Sequence, residues 1–502
     1  MTAPTTDPMA GDPTGPAEHQ AAPAPRRTPP VVRLLVIATF VVILNETIML
    51  NAIPRLMESF RVSEQAAQWV STAFMLTMAA VIPVTGWFLQ RVSTRTAYGT
   101  AMGVFLTGTA LAAAAPVFEL LLLGRVVQAA GTAVMMPLLM TTLMTVVPVS
   151  DRGRVMGNVT MAISVAPALG PAVSGVVLQL GSWRLLFLLV LPIAAAVTWS
   201  GLRTLENIGE PRVSSVDWPS VLIAALGFGS LVYGLSRFAE GEVGLPVAIA
   251  VLGVALVAAF VARQLRLQRT GAPLLDLRAL SHGTFTKSLV LMSVAFMTML
   301  GAMILLPLYL QNVRGLSPLQ TGLLVMPGGL AMGLLGPTVG RVFDRFGGRV
   351  LVIPGAVGIV ASLAGLTQIS LTMPYGQVLA LHVLMMVSLA ATFTPVFTLG
   401  LGALPMHLYS HGSSILGTLQ QVAAALGTAL AVTVMALRAR QLQPAAEVEA
   451  QLAGMQLAFA VSAAISLVVV VMAWLLPGRP EPTPEEGQGH AQEPHDGVEV
   501  PA

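Results

Sequence analysis

Glu46 is the residue of this chain whose type and position best suit proton chemistry. It stands in the run Leu44-Asn45-Glu46-Thr47, inside an apolar stretch predicted to cross a membrane between residues 31 and 53. A charge at membrane depth costs at least ~2.5 kcal/mol on insertion scales, so an acid there marks a functional site by default. Burial raises the pKa of a carboxyl group and a nearby cation lowers it, and a group balanced between the two can exchange protons. The alternative is a permanent ion pair that joins helices and never titrates.

Arg125 is the one basic residue placed more than three residues inside a predicted span. It follows Glu119 by six residues, which puts it ~9 Å below the outer face at 1.5 Å per residue. Glu46 precedes Ile53 by seven residues, or ~10 Å, so the two charges are predicted at one depth, where they pair or compete. The alternative is a structural arginine bonded to backbone carbonyls. The polar side chains expected to line the cavity around this pair are Asn45, Asn51, Gln128, Gln420 and Gln421.

Two loop sequences repeat each other. The second predicted span ends in a sequence with Gly86, Arg91 and Arg95, and the tenth ends in one with Gly340, Arg345 and Arg349 at the same spacing. Orientation anchors need charge but no fixed spacing, so the repetition argues against simple anchors, and these residues are expected to take part in gating. Asp344 is the acid of the second copy, and it is expected to accept hydrogen bonds from nearby arginines or from a helix N-terminus. The alternative is a pair of simple orientation anchors.

Four helix-perturbing residues lie close together in another predicted span: Pro167, Gly170, Pro171 and Gly175. Proline removes a backbone hydrogen bond and glycine lets helices approach closely. This segment is therefore predicted to bend or to pack tightly against a neighbour. That suits a gate, and an ordinary kinked packing helix is the alternative.

The histidines give no metal site. His407 and His411 are spaced i, i+4, but no third ligand is evident. His382 lies inside a predicted span, where it lines the cavity or bonds a neighbouring helix. No catalytic constellation is found, so an enzyme is not expected, and no cofactor is expected beyond a proton gradient.

Composition places most of the chain in lipid. Hydrophobic residues make up 55% and charged residues 10%, against roughly 25% charged in an average soluble protein. Cysteine is absent, which excludes disulfides, thiolate metal sites and cysteine nucleophiles. The net charge is +3 and no basic block is present, so nucleic-acid binding is not expected.

Fourteen stretches are long and apolar enough to cross the hydrocarbon as helices. They are 31–53, 68–90, 97–117, 119–147, 155–180, 184–203, 218–236, 246–265, 284–311, 319–341, 349–371, 375–403, 412–438 and 455–476. Residues 438–453 suit a short helix lying at the outer surface. Most arginines fall on the side that carries both tails, so both termini are predicted to be cytoplasmic in a multi-pass protein of the plasma (bacterial inner) membrane.

The repeat divides the chain. The predicted fold class is an all-α integral membrane protein with two six-helix halves, residues 31–203 and 284–476, and two inserted helices with a cytoplasmic linker in 204–283. Residues 1–30 and 477–502 are predicted to be disordered cytoplasmic tails, the second one acidic. Repeats of this kind around a central cavity are typical of alternating-access transporters.

These residues resemble the major facilitator superfamily, and specifically its fourteen-helix drug:proton antiporters of the lincomycin and multidrug exporter type. The resemblance covers nearly all of 31–476. It rests on Leu44-Asn45-Glu46-Thr47, on Arg125 with Gln128, and on Ala168-Leu169-Gly170-Pro171 with Gly175. It implies the major facilitator fold and an acid in the first helix that supports proton coupling. Gln90 departs from the pattern, since the family usually has an acid there.

The leading functional hypothesis is therefore a proton-coupled antiporter that exports small amphipathic compounds by alternating access. Its expected partners are a small-molecule substrate, protons and the lipid bilayer, with the protein as a monomer. The alternatives are export of an endogenous lipid or secondary metabolite, a membrane enzyme, and a non-transporting scaffold or sensor. The single intramembrane carboxylate argues against the enzyme, and a scaffold would not need a titratable acid at membrane depth.

Overall fold

The computed structural model describes residues 28–49, 52–207, 217–239, 244–269, 273–442 and 447–478. The α-helices of these ranges are α1 (Pro30–Ile48), α2 (Ile53–Phe60), α3 (Glu64–Arg91), α4 (Thr94–Ala114), α5 (Phe118–Val146), α6 (Arg152–Gln179), α7 (Arg184–Thr204), α8 (Trp218–Ala239), α9 (Leu245–Leu267), α10 (Gly283–Leu308), α11 (Pro318–Phe346), α12 (Arg349–Leu366), α13 (Tyr375–Gly402), α14 (Tyr409–Gln441) and α15 (Glu447–Leu475). Apart from the short α2, each helix matches one predicted span.

Thirteen helices within the described ranges are long and apolar enough to cross a membrane. The remaining long helix, α6, is 28 residues long. It packs mainly against α11 and α1, so much of its surface touches protein instead of lipid. That position accounts for its polar and small side chains.

The two sets of six helices pack in the same way. In the first set α4 packs on α5 and α7, while α1 packs on α5, α6 and α7. In the second set α12 packs on α13 and α15, while α10 packs on α13, α14 and α15. The sets meet through α6 with α11 and through α3 with α14, which are equivalent pairs in the repeat. The helices between them, α8 and α9, pack on each other, and α8 also contacts α3 and α14.

Two predicted boundaries were wrong. The first span was predicted to end at residue 53, but α1 ends at Ile48 and α2 begins at Ile53, with Pro54 in its first turn. Proline has no N–H to bond the carbonyl oxygen four residues earlier, so it interrupts a continuing helix but fits the first turn of a new one. Pro54 therefore separates α1 from α2. The surface helix predicted for 438–453 is also absent: α14 continues to Gln441 and α15 starts at Glu447, so both spanning helices extend into that segment.

The repeated motif lies on helix, where a loop was predicted after the tenth span. α11 continues past residue 341 to Phe346, so Asp344 and Arg345 occupy its last turn. Arg91 is likewise the last residue of α3, and Arg95 lies in the first turn of α4. These helices continue past their apolar segments into polar residues. Hydropathy therefore marks the apolar part of each helix but not the residue at which the helix ends.

Candidate functional site

The structure brings Glu46 and Arg125 close together. Glu46 lies in the last turn of α1 and is partly buried, whereas Arg125 of α5 is 1% exposed. Their charges interact electrostatically. The Arg125 hydrogen bonds go to neutral acceptors instead of to the carboxylate. Glu46 and Arg125 are therefore close together, as predicted. The guanidinium is held beside the carboxylate by other acceptors and does not hydrogen-bond to it.

Three helices hold the Arg125 guanidinium in place. Its Nη1 donates to Gln128 Oε1 at 2.7 Å and to Asn45 Oδ1 at 3.4 Å. Its Nε donates to the carbonyl oxygen of Val70 in α3 at 3.3 Å. The guanidinium also lies over the Phe74 ring, 4.2 Å from the ring centre. A buried cation is tolerated when its donors are satisfied in this way, and removing it would leave these acceptors unpaired.

Gln128 passes this network on to α4. Its Nε2 donates to Thr109 Oγ1 at 2.8 Å, and the Thr109 hydroxyl donates to its own helix at Phe105 O. Close packing makes the reach possible, because a Cβ on Gly108 would overlap the backbone of Gln128. Both Gln128 and Thr109 are fully buried. The chain of polar groups therefore runs from α1 through α5 to α4 inside the bundle.

The residue after Glu46 touches the proline- and glycine-rich segment of α6. A Cβ on Gly170 would overlap Thr47 Oγ1 and lie 3.2 Å from the Thr47 carbonyl carbon. The predicted tight packing is therefore present at Gly170. It is not present at Gly175, where a Cβ would meet nothing within 4 Å. Helix α6 continues through Pro167 and Pro171 without a break in its helical assignment.

Asp344 lies at the α6–α11 contact, one of the two equivalent contacts between the six-helix sets. Its carboxylate oxygens accept hydrogen bonds from the backbone N–H of Gly153 at 2.8 Å and of Arg154 at 2.7 Å, at the N-terminus of α6. Of the two alternatives raised for this acid, the helix N-terminus is the one observed. Beside it the backbones of α6 and α11 are in direct contact, since a Cβ on Gly340 would overlap the Gly153 carbonyl oxygen.

The equivalent contact between α3 and α14 is made differently. Gln90 Nε2 donates to the His407 carbonyl oxygen at 2.8 Å. A Cβ on Gly86 would lie 2.9 Å from His411 Nδ1, and the hydroxyl of the preceding residue, Thr85, lies 2.8 Å from that of Ser414. The two contacts thus share their position in the repeat, but only one of them uses a charge.

The arginines of the motif do not converge on one acid. The Arg91 guanidinium lies over the Trp87 ring at 5.6 Å and that of Arg345 over Phe346 at 5.1 Å. Arg349 Nε donates to the Leu476 carbonyl oxygen at 3.2 Å, which ties α12 to the end of α15. Arg95 uses its backbone N–H to bond Asn207 Oδ1. Their gating roles stay a prediction.

Gln420 lines a narrow cavity of about 10 Å³ between the two sets. The other lining residues are Met136, Pro137, Met140, Phe397, Leu401, Ser413, Leu416 and Gly417. The wall is therefore almost wholly apolar, and the space it leaves in this conformation holds about one water molecule. Gln421 is partly buried and outside this lining, and Asn51 lies outside the described residues.

His382 bonds a neighbouring helix, one of the two roles considered for it. Its ring nitrogen Nε2 is 3.2 Å from the Val325 carbonyl oxygen of α11. A Cβ on Gly328 would overlap the same imidazole, so α11 and α13 are fitted closely around it. His382 thus joins two helices of the second set.

Outside the spans, carboxylates organise the inserted pair of helices. Hydrogen bonds from Arg263 hold the pKa of Asp217 at about 2, despite some opposing burial. Burial alone would raise the pKa of Asp276, but the hydrogen bonds from Arg278 outweigh it and keep that pKa below its usual value. Gln264 Oε1 accepts from the backbone of the linker at 2.8 Å. The linker segment at Leu274 is therefore attached to α9, one of the two inserted helices.

Sequence reasoning missed several residues of these contacts, among them Val70, Thr109, Gly153 and Gly157. Val70 contributes a carbonyl oxygen, which no side-chain pattern can reveal. Gly153 and Gly157 form an i, i+4 pair that faces a second such pair, Gly336 and Gly340, and a Cβ on Gly157 would overlap Gly336. Small residues at this spacing are a known signal of close helix contact in membranes, so this contact was detectable.

Comparison with known sequences gives a consistent result. The family model described as Major Facilitator Superfamily matches residues 35–428. The MFS-type transporter YcnB of Bacillus subtilis is 37% identical over 90% of this chain and 96% of its own length. The lincomycin resistance protein LmrB of Listeria monocytogenes is 36% identical over 81% of this chain and 86% of its own length.

Solved structures with the same fold have far lower identity. The human organic anion transporter TETRAN matches with a TM-score of 0.65 and 16% identity, over 89% of this chain and 100% of that one. The proton:xylose symporter XylE matches with a TM-score of 0.64 and 16% identity, over 92% and 98%. At such identity the likeness concerns the fold alone.

Proposed function

Because this chain belongs to the major facilitator superfamily, we propose that it is a proton-coupled antiporter that exports small amphipathic or hydrophobic compounds, antibiotics among them. Both termini would lie on the cytoplasmic side of the cell membrane. Relatives named for lincomycin and multidrug resistance support the substrate class. The observation that carries the proposal is the acid Glu46 beside the buried Arg125, inside a bundle of membrane-spanning helices.

Proton binding at Glu46 would change the free energy of the contact between α1 and α5. An ionised Glu46 attracts Arg125, and a protonated one does not. The guanidinium would then rely on its neutral acceptors, Asn45, Gln128 and Val70 O, which come from α1, α5 and α3. A proton thereby favours one arrangement of these helices over another, which is the requirement for any ligand that shifts a conformational equilibrium.

Helix α6 connects the surroundings of Glu46 with the α6–α11 contact. Thr47 follows Glu46 and packs on Gly170 of α6. Gly153, at the other end of the same helix, lies seventeen residues away, about 25 Å at 1.5 Å per residue. That end is where Asp344 binds the α6 N-terminus. If α6 moves as a rigid lever, a tilt that starts at Thr47 would therefore shift its N-terminus relative to Asp344 and change the α6–α11 contact.

Transport into proteoliposomes with an imposed pH gradient tests the proposal. We expect wild-type protein to move lincomycin, or another member of a chemically diverse panel, uphill against its concentration when protons run the other way. Glu46→Gln keeps the shape but cannot exchange a proton, so uphill transport should be lost. Glu58→Gln is the matched control, since Glu58 is an exposed acid of α2 that pairs only with Arg55.

Two results would contradict the proposal. Undiminished gradient-driven transport by Glu46→Gln would remove the coupling role of this acid. Selective uphill movement of an endogenous lipid or metabolite, with no antibiotic moved at all, would replace the proposed substrate class.

A further inference from the structure

An open groove lies between α3 and the inserted helices α8 and α9. Its volume is about 410 Å³, which falls within the roughly 300–1,000 Å³ of small-molecule pockets, and it is widely open to its surroundings. Its walls are Leu76, Thr77 and Ala80 of α3, Ile249 of α9, and five residues of α8: Ala225, Leu226, Gly229, Ser230 and Tyr233. None of these comes from the central pocket, so the groove is a separate feature.

Depth decides what can reach this groove. Residues 76–80 lie in the middle of the span Ala66–Arg91, and residues 225–233 lie inside the span Trp218–Arg237. At that level of a membrane the surrounding solvent is hydrocarbon. The hydroxyl of Thr77 is already bonded to its own helix at Ala73 O, 2.8 Å away. Thr77 can therefore turn its methyl group to the groove, as an apolar guest requires.

The shape suits one extended chain with a polar head. Gly229 opens the groove, because a Cβ there would meet nothing within 4 Å. Towards the predicted outer end, Trp69 and Tyr233 stack at 5.8 Å and narrow it. Tryptophan and tyrosine prefer the level of lipid head groups, where their polar atoms meet ester and phosphate groups. The Tyr233 hydroxyl is thus placed to donate to an ester carbonyl while the attached acyl chain runs inward past Gly229.

We propose that this groove binds one acyl chain of a membrane phospholipid, with its ester group at Tyr233 and its hydrocarbon along Gly229 to Ala225. Lipid tails are as apolar as leucine, so the binding is selective through fit and hydrogen bonding instead of through the hydrophobic effect. The inserted helices would thereby present a lipid to α3, a helix of the α3–α14 contact. This proposal depends on membrane insertion alone and stands whether or not Glu46 couples protons.

A photoreactive phosphatidylcholine with a diazirine on one acyl chain tests it, with the full chain held as single copies in nanodiscs. Labelled peptides are mapped by mass spectrometry, and the exposed α9 face at Val251, Leu252 and Val254 provides the reference for ordinary surrounding lipid. We expect labelling of 225–233 to exceed that reference several-fold. Gly229→Phe, which fills the groove, should abolish the excess.

Gly103→Phe is the matched control, because a Cβ on this α4 glycine also meets nothing within 4 Å. It should leave the excess unchanged, and monodisperse elution of both variants checks that they fold. Equal labelling of 225–233 and the α9 face in wild type would overturn the proposal. Labelling that survives Gly229→Phe would do so too. Displacement of the label by a transported compound would reassign the groove to substrate.

Discussion

Asp344→Asn should open the contact between α6 and α11 without unfolding either helix. Asp344 binds the N-terminus of α6 through two backbone hydrogen bonds, at 2.8 and 2.7 Å, whereas the hydrogen bonds described for the equivalent α3–α14 contact join neutral groups. Asparagine is nearly the same size but keeps only one acceptor oxygen. The variant therefore removes one hydrogen bond and the attraction between the carboxylate and the helix dipole.

The size of the effect follows from these bonds. A hydrogen bond to a charged group contributes about 1.5–3 kcal/mol net. Asp344 is exposed to solvent on one side, and screening reduces the contribution of charges that water reaches. We therefore expect a loss of about 1–2 kcal/mol, which is a factor of roughly 5–30 in the equilibrium between closed and open forms.

A single introduced cysteine can report that equilibrium, since the chain has none of its own. Thr160 of α6 is 6% exposed, and its hydroxyl lies 2.8 Å from that of Thr394 in α13, across the two sets of helices. Thr160→Cys should react with a hydrophilic maleimide only when the sets separate. With fast reclosing the reaction rate follows the open population. Asp344→Asn should thus raise the rate roughly 5–30-fold.

The α3–α14 contact provides the comparison. Ser414 is fully buried there, and Ser414→Cys reports on that side. Gln90 gives only a neutral hydrogen bond to His407 O, and such bonds contribute about 0.5–1.5 kcal/mol, less when exposed. Gln90→Ala should therefore change labelling at Ser414→Cys by less than Asp344→Asn changes it at Thr160→Cys. Equal maleimide rates with and without Asp344→Asn would refute the gating role of the acid.

Three further predictions concern other contacts. Gly170→Ala should abolish transport but leave the protein folded, because its Cβ forces α1 away from α6 at a cost of about 1–3 kcal/mol. Gly175→Ala is the control and should transport like wild type, since open space surrounds this position. Equal transport by the two variants would contradict the lever role of α6. Arg125→Ala leaves three acceptors unpaired, so coupled transport should fail and the melting temperature should drop, whereas an unchanged melting curve would mean the network adds nothing. Asp217→Asn should cost about 1–2 kcal/mol at pH 7, after allowance for the exposed guanidinium partner. Because the folded pKa of Asp217 is depressed to about 2, this stability is present above the unfolded pKa of ~3.9 and is lost as pH falls towards 2. Melting curves of wild type and variant should therefore converge at low pH, and a gap that persists there would contradict the assignment.

Much of the fold was predictable because apolar length is written directly in the sequence. Each long helix was predicted, and the repeat of Gly86 and Gly340 led to the two equivalent sets. The errors came where hydropathy carries no signal. Asp344 is polar yet helical, and the break after Ile48 depends on Pro54 and the turn before it.

The site was predictable in its charges but not in its partners. Glu46 and Arg125 are rare residue types at membrane depth, so they are conspicuous. Their exact relation was not predictable, because it depends on acceptors such as the Val70 carbonyl, whose direction is set by helix packing. The groove at Gly229 also depends on the angle between α3 and α8, which no local pattern specifies.

The most direct test of the central claim is proton release triggered by substrate. Purified protein in weakly buffered detergent solution receives a saturating amount of a transported compound, and the pH change is followed with an indicator dye. If substrate and proton compete through Glu46, wild type and Glu58→Gln should release protons on addition of the compound, and Glu46→Gln should bind the compound while releasing none. Equal proton release from Glu46→Gln and wild type, or no release from wild type despite binding, would contradict the account.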